Sequence, residues 1–129
     1  EFAGAHISIY IAKYKPSADK NYELIELKGN KMPVGYYRKM SSFTDQTYKI
    51  EPEDIIYMFT DGYVDQFGGK RGQKFQSKAF RNVLIDNAHK PLNAQQELIE
   101  KTFLTWKNDY EQIDDVLVMG VKPISKTTE

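Results

Sequence analysis

The spacing of apolar residues along the chain predicts short strands in its first half. Alternation of apolar and polar residues predicts strands over His6 to Tyr14 and over Tyr22 to Lys28, joined by a turn that contains Pro, Asp and Asn. Alternation recurs over Thr44 to Ile50, and a continuous apolar run covers Ile55 to Phe59. We therefore expect an antiparallel β meander.

The second half of the chain predicts two helices and a final strand. The first helix is expected to begin at a capping Ser77 and to be stopped by Pro91. In the second helix, Asn93 and Gln96 resemble a capping box, and apolar residues recur at helical spacing: Ala94, Leu98, Ile99, Phe103 and Trp106. We expect both helices to cover a sheet, and we assign the tryptophan to the core. The apolar run Val116 to Val121 predicts the last strand.

Acidic residues stand where two of these predicted strands end or begin. Asp61 and Gly62 follow the run that ends at Phe59, and Asp114 and Asp115 precede the last strand. If the two strands are antiparallel neighbours, these carboxylates meet at the same edge of the sheet. Carboxylates held close together repel each other unless a cation neutralises them, and hard oxygen ligands suit Mg²⁺ or Mn²⁺. The pattern indicates a metal site, although acids beside glycine are also common in ordinary turns.

Composition and charge exclude several kinds of function. Lys and Arg total 18, Asp and Glu total 18, and the formal net charge is zero, so no long-range field selects nucleic acid or an anionic membrane. The absence of Cys removes disulfides, thiolate metal sites and cysteine nucleophiles. No apolar stretch approaches the roughly 18 to 20 residues that a membrane helix requires. We expect a cytoplasmic protein, with no membrane contact by this segment and no nucleic-acid partner.

Five short motifs stand in order along the chain. They are Ala3-Gly4-Ala5-His6, Met32-Pro33-Val34-Gly35, the run from Ile55 to Gly62, Phe67-Gly68-Gly69 and Asp114-Asp115-Val116. Together they resemble the SpoIIE-like serine phosphatases, bacterial members of the metal-dependent protein phosphatase (PPM) superfamily. The resemblance extends over all 129 residues. It implies an α+β fold that forms part of a four-layer αββα sandwich.

The resemblance also implies a site that holds two Mn²⁺ or Mg²⁺ ions. Asp61 and Asp114 match metal-ligand positions, and Gly62 and Asp115 are expected to support them. The ions would polarise a phosphoserine or phosphothreonine and supply a bridging hydroxide, so no catalytic residue beyond the metal ligands is implied. His6 could serve as a general acid, but a hydrogen bond across the sheet is the simpler role at the start of a strand. No substrate-binding residue is assigned, and the exposed Lys70 and Arg71 are treated as solvated loop residues.

One part of the family pattern has no counterpart in the sequence. Family members carry an earlier segment with a Gly-Asp motif, whose Asp bridges the metals, followed by an amphipathic helix pair. We therefore expect residues 1–129 to be the carboxy-terminal portion of a single phosphatase domain. Alone, this portion should bind divalent metal weakly or singly and hydrolyse phosphoserine slowly or not at all. Open strand edges near Ile7 to Ile11 or open apolar helix faces would favour self-association.

The leading hypothesis is a bacterial protein serine/threonine phosphatase that acts in signalling. Its expected partners are a phosphoserine or phosphothreonine protein substrate and an upstream sensor or receiver module. The alternative is a non-catalytic phosphoprotein-binding or regulatory module with a degenerate phosphatase fold, which the intact Asp61 and Asp114 disfavour. A receiver-like phosphoacceptor would need acids at the ends of parallel strands, which the β-rich first half disfavours.

Overall fold

A four-stranded antiparallel sheet organises the fold. The computed structural model describes residues 1–124. Its elements, in chain order, are β1 (Ile9–Tyr14), β2 (Tyr22–Leu27), β3 (Ile55–Phe59), α1 (Gly62–Asp65), β4 (Phe67–Gly68), β5 (Gln73–Lys74), α2 (Ser77–Asn87), α3 (Leu92–Lys107) and β6 (Val118–Val121). The large sheet has the order β2-β1-β3-β6, and β4 pairs with β5 in a small separate sheet. The predicted α+β class, with a final strand after two helices, is confirmed.

The register of the sheet brings four strand termini to one end. Ile9 of β1 pairs with Leu27 of β2, and Phe59 of β3 pairs with Val118 of β6. Because β1 and β3 are also antiparallel, the start of β1 lies beside the end of β3. One end of the sheet therefore contains the end of β2, the start of β1, the end of β3 and the start of β6. We call this the Asp61 end of the sheet, because Asp61 follows β3 there.

The core lies between one face of the sheet and helices α2 and α3. Alternate residues of the strands join it, among them Tyr10, Ala12, Ile55 and Tyr57. The helices contribute the buried residues Phe80, Leu84, Ala88 and Phe103. Trp106 packs against this cluster, and its Nε1 donates to the backbone oxygen of Gln66 at 3.0 Å. The predictions that both helices cover the sheet and that the tryptophan belongs to the core are confirmed.

Residues 44–50 do not form the strand that their alternation predicted. Only Gln46 pairs with another segment, in an isolated antiparallel bridge to Phe2. The alternation instead reflects burial, because Gln46, Tyr48 and Ile50 are half-buried and the residues between them are exposed. The Lys13 ammonium lies 5.7 Å from the centroid of the Tyr48 ring, on the face of β1 that points away from the helices. The segment therefore covers part of that sheet face without joining the ladder.

Two strands begin later than predicted. β1 begins at Ile9 rather than His6, because His6 has a left-handed backbone with φ 56°, which is incompatible with a strand. β6 begins at Val118 rather than Val116.

The predicted helix caps are also wrong. Ser77 is the first residue of α2, and its N-cap position is occupied by Gln76, whose φ is 74°. Helix α3 begins at Leu92 directly after Pro91, so the expected capping box of Asn93 to Gln96 lies inside the helix. Proline suits the start of a helix because it has no backbone N–H to satisfy and its φ is already fixed. Neither α2 nor α3 has a side-chain cap, and within residues 1–124 no helix is long and apolar enough to span a membrane.

Tyr57 links β3 to α3 through a buried hydrogen bond. Its hydroxyl donates to Gln95 Oε1 at 2.6 Å, and Gln95 Nε2 donates to the backbone oxygen of Lys90 at 2.8 Å. The substitution Tyr57→Phe leaves the buried amide oxygen without this donor, so we expect the free energy of unfolding to fall by about 1–3 kcal/mol. Urea denaturation measures this change. The control Tyr36→Phe alters a fully exposed side chain, and an equal loss in both variants would contradict the prediction.

Two buried tyrosines predict a loss of stability in alkali. Burial raises the pKa of both Tyr57 and Tyr63 far above the ordinary value. In the unfolded chain these hydroxyls ionise near pH 10, whereas the folded chain keeps their protons, so higher pH favours unfolding. We expect stability to be retained below about pH 10 and to fall above it. Urea denaturation across this range tests the sign, and the double variant Tyr57→Phe/Tyr63→Phe should show a shallower decline.

Candidate metal centre

Thr60 joins the end of β3 to the segment that enters β6. Its backbone N–H donates to the Leu117 backbone oxygen at 3.0 Å. Its Oγ1 donates to the Asp115 backbone oxygen at 2.9 Å and accepts from the Leu117 N–H at 3.0 Å. These three bonds extend the pairing of β3 and β6 beyond Phe59 and Val118. The residues just before Asp61 are therefore held beside the residues just after Asp114.

Gly62 brings the two segments into still closer contact. A Cβ atom at this position would lie 2.2 Å from the Asp115 backbone oxygen, which no side chain could tolerate. Helix α1 starts here, with Asp61 at its N-cap position and the Asp65 N–H donating to the Asp61 backbone oxygen at 2.9 Å. This four-residue helix was missed in the sequence because it is too short to show a helical period.

The predicted acidic residues are accessible at this end of the sheet. Asp61, Asp114 and Asp115 are all exposed. The Asp61 carboxylate does not cap α1, so that helix does not occupy it. Asp114 Oδ1 accepts from the Asp115 N–H at 2.8 Å, and Gln112 Nε2 donates to the Asp114 backbone oxygen at 3.0 Å. Asp115 thus contacts Asp114 through its backbone amide.

Carboxylate oxygens are the type of ligand that a hard divalent cation prefers, but residues 1–124 do not supply enough of them to complete a metal centre. Mn²⁺ and Mg²⁺ prefer carboxylate and water oxygens, with about six ligands for each ion. Within residues 1–124, no group of three or more His, Cys, Asp or Glu side chains is placed to hold a metal ion. A metal centre at this end of the sheet would therefore need ligands besides Asp61 and Asp114, supplied by waters, substrate or groups outside residues 1–124.

The other residues considered in the sequence lie outside this arrangement. His6 is exposed, and its backbone N–H donates to the Asn30 backbone oxygen at 2.8 Å. The hydrogen bond expected of His6 is therefore made by its backbone. Lys70 and Arg71 are exposed in the turn between β4 and β5.

Two supporting residues were not found in the sequence. Thr60 falls inside the run from Ile55 to Gly62, where no local pattern marks its role, although a threonine hydroxyl can accept and donate at once. Gln66 is fully buried, and its Nε2 donates to the backbone oxygens of Phe67 and Glu111, both at 2.9 Å. It thereby fixes the start of the segment that carries Asp114. A lone Gln between a short helix and a short strand carries no pattern that would have revealed this role.

The fold described above, a sheet covered on one face by two helices, is similar to that of a solved PP2C domain. The chain is similar in structure to the SiaA-PP2C domain of Pseudomonas aeruginosa, with a TM-score of 0.80 and 30% sequence identity. The match covers 95% of this chain and 45% of that one, so the chain spans less than half the length of this relative.

The sequence model of the Stage II sporulation protein E (SpoIIE) family matches residues 6–123, and the chain belongs to this family. A comparison with curated proteins finds no match. The resemblance stated from the sequence motifs is thereby confirmed.

The close contact at Gly62 predicts that this position does not tolerate a larger residue. Gly62→Ala places a methyl group against the Asp115 backbone and must push the two segments apart, so we expect a loss of about 1–3 kcal/mol in the free energy of unfolding. Thermal or urea unfolding measures the loss. The control is Gly120→Ala in β6, where the nearest atoms to the new methyl group lie 3.4 Å away. Equal effects of the two substitutions would show that the Gly62 contact is not restrictive.

Proposed function

We propose that this chain forms part of a protein serine/threonine phosphatase domain that uses Mn²⁺ or Mg²⁺ to hydrolyse phosphoserine or phosphothreonine. The observation that carries the proposal is the antiparallel pairing of β3 and β6, which puts Asp61 and Asp114 at the same end of the sheet. Membership of the SpoIIE family and similarity to a solved PP2C domain support the same reaction class.

The chain would contribute ligands and their positions. Two ions, when bound, would polarise the phosphoryl group and generate the attacking hydroxide. Asp61 and Asp114 would be ligands, and the hydrogen bonds of Thr60 would fix the backbone between them. Because both carboxylates are exposed, a phosphorylated protein could reach them. No cysteine is present to act as a nucleophile, which agrees with direct attack by a hydroxide.

Catalysis by the whole domain requires more ligands than residues 1–124 provide. Two carboxylates cannot supply the several protein oxygens that usually anchor a pair of octahedral ions. We therefore propose that this chain alone binds one ion weakly and releases phosphate at or near the background rate. Further carboxylates from outside the described residues would complete the centre. Control by an upstream sensor or receiver module stays a prediction from the resemblance.

Metal binding tests the ligand assignment without requiring activity. We expect Asp61→Asn to weaken Mn²⁺ binding by roughly tenfold or more, because it removes one of two charged ligands. Mn²⁺ titration followed by electron paramagnetic resonance or calorimetry measures this. The matched control is Asp19→Asn, an equal change of charge on an exposed residue in the turn at the opposite end of the sheet. Equal weakening in both variants, or none in either, would refute Asp61 as a ligand.

Phosphate release separates a phosphatase from a degenerate binding module. In a complete domain that carries these residues, release from a phosphoserine protein should require Mn²⁺ or Mg²⁺. Asp61→Asn should lower kcat by about 100-fold, because loss of a ligand removes charge stabilisation from the transition state. Phosphoprotein binding without metal-dependent release would instead favour the non-catalytic alternative.

A further inference from the structure

The loop that follows β2 leaves from the Asp61 end of the sheet. β2 ends at Leu27 beside Ile9, and the next residues stay close to the segment before β1. Asn30 forms a parallel bridge with Ala5, and its backbone N–H donates to the Gly4 oxygen at 2.7 Å. The base of this loop is therefore fixed at the same end of the sheet as Asp61.

Two successive contacts close the loop above its base. The Asn30 side chain accepts from the Thr44 N–H at 3.0 Å and donates to Thr44 Oγ1 at 3.3 Å. One step further out, the thioether of the buried Met32 accepts from the Ser41 hydroxyl at 3.6 Å. Residues 33–40 are thus held as a projecting tip, which we call the β2–β3 tip. These closures keep the position of the tip defined although its own side chains are exposed.

The β2–β3 tip combines exposed apolar groups with two cations. Tyr36 is fully exposed, and Val34 is 83% exposed. Arg38 and Lys39 are exposed and form no ion pair with any group in residues 1–124. No acidic residue lies in the tip, so its charge is positive in a chain whose net charge is zero. Gly35 has φ 125°, which a residue with a side chain rarely adopts, so the turn of the tip depends on this glycine.

Charge complementarity identifies the class of occupant. A phosphorylated residue carries about −1.5 to −2 charges and pairs well with an Arg guanidinium. Without bound metal ions, the exposed carboxylates at the Asp61 end would repel such a ligand, whereas the tip offers it two unpaired cations at the same end. Tyrosine side chains beside the cations supply apolar contact area to a bound chain at little entropic cost.

We propose that the β2–β3 tip binds an extended segment of a phosphorylated protein, with Arg38 and Lys39 pairing with its anionic groups and Tyr36 packing against it. This proposal rests on the proposed function, because it assigns the substrate-docking surface of the same site. The tip would hold the segment through its phosphate, at the same end of the sheet as Asp61. The proposed role of the tip is binding alone, and no tip residue takes part in phosphate hydrolysis.

A binding experiment tests the tip without requiring catalysis. The probe is a pool of short peptides with a central phosphoserine and random flanking residues, offered to the immobilised chain in parallel with the same pool carrying serine. We expect the chain to retain more of the phosphoserine pool than of the serine pool. The variant Tyr36→Ser/Arg38→Gln/Lys39→Gln should reduce that retention by roughly fivefold or more, since it removes two charge-assisted contacts. Because all three side chains are exposed, its unfolding midpoint should match that of the unaltered chain.

The matched control removes the same charge from the other exposed basic turn. Lys70→Gln/Arg71→Gln should retain the phosphoserine pool within about twofold of the unaltered chain. Equal losses in the tip variant and this control, or no loss in the tip variant, would overturn the proposal. Equal retention of the serine pool would also overturn it, as would stronger tip-dependent retention of a random single-stranded RNA pool.

Metal titration distinguishes failure of this proposal from failure of the proposed function. The tip variant should bind Mn²⁺ as the unaltered chain does, because no tip residue is a proposed ligand. If Asp61→Asn leaves metal binding unchanged but the tip variant loses phosphopeptide, the metal assignment fails and the docking surface stands. If Asp61→Asn weakens metal binding and the tip variant keeps phosphopeptide, the docking surface fails and the metal assignment stands.

Discussion

The hydrogen bonds of Thr60 are the constraint on which the geometry of the candidate centre depends. β6 contains only four residues and lies at the edge of the described sheet, so β3 is its single neighbour within that sheet. A slip of one residue would turn every side chain of β6 to the opposite face. Thr60 opposes such a slip, because its backbone N–H and hydroxyl bind groups on both Asp115 and Leu117. The same bonds keep Asp61 and Asp114 on neighbouring segments, so sheet register and site geometry have one cause.

The aromatic core fixes the other side of this junction. Tyr63 follows Gly62 directly, and its ring centroid lies 4.7 Å from that of Phe80 and 5.1 Å from that of Phe103. Its hydroxyl donates to the Ile99 backbone oxygen at 2.8 Å, so the buried tyrosine has its polar group satisfied. Helix α1 is therefore anchored by packing against α2 and α3, since a four-residue helix has little stability of its own. The core contacts of Tyr63, two residues further along the chain, therefore fix the position of Asp61.

The sequence predicted the parts of this arrangement that have strong local signals. The apolar run before Asp61 gave β3 with its observed ends, and helical spacing identified the face of α3 that carries Phe103 and Trp106. The alternation of residues 44–50 was misread because side chains alternate in burial on any extended chain that lies on a sheet, whether or not its backbone pairs. Thr60 and Gln66 could not be ranked from sequence because their partners, Leu117 and Glu111, lie 57 and 45 residues away. Contacts at such separations are set by the folded topology rather than by a local pattern.

The unpaired charges at the Asp61 end of the sheet would be neutralised if divalent metal ions and an anionic ligand bound there together. Asp61, Asp114 and Asp115 form no ion pair with any Lys or Arg of the described chain, whereas Asp65 pairs with Lys74 at 3.0 Å. Leaving three carboxylates unpaired at one end of the sheet brings no gain in stability. Arg38 and Lys39 on the β2–β3 tip likewise form no ion pair within residues 1–124. A divalent ion would neutralise the carboxylates and a phosphorylated segment would neutralise the tip, so both sets of unpaired charge would be satisfied in the same complex.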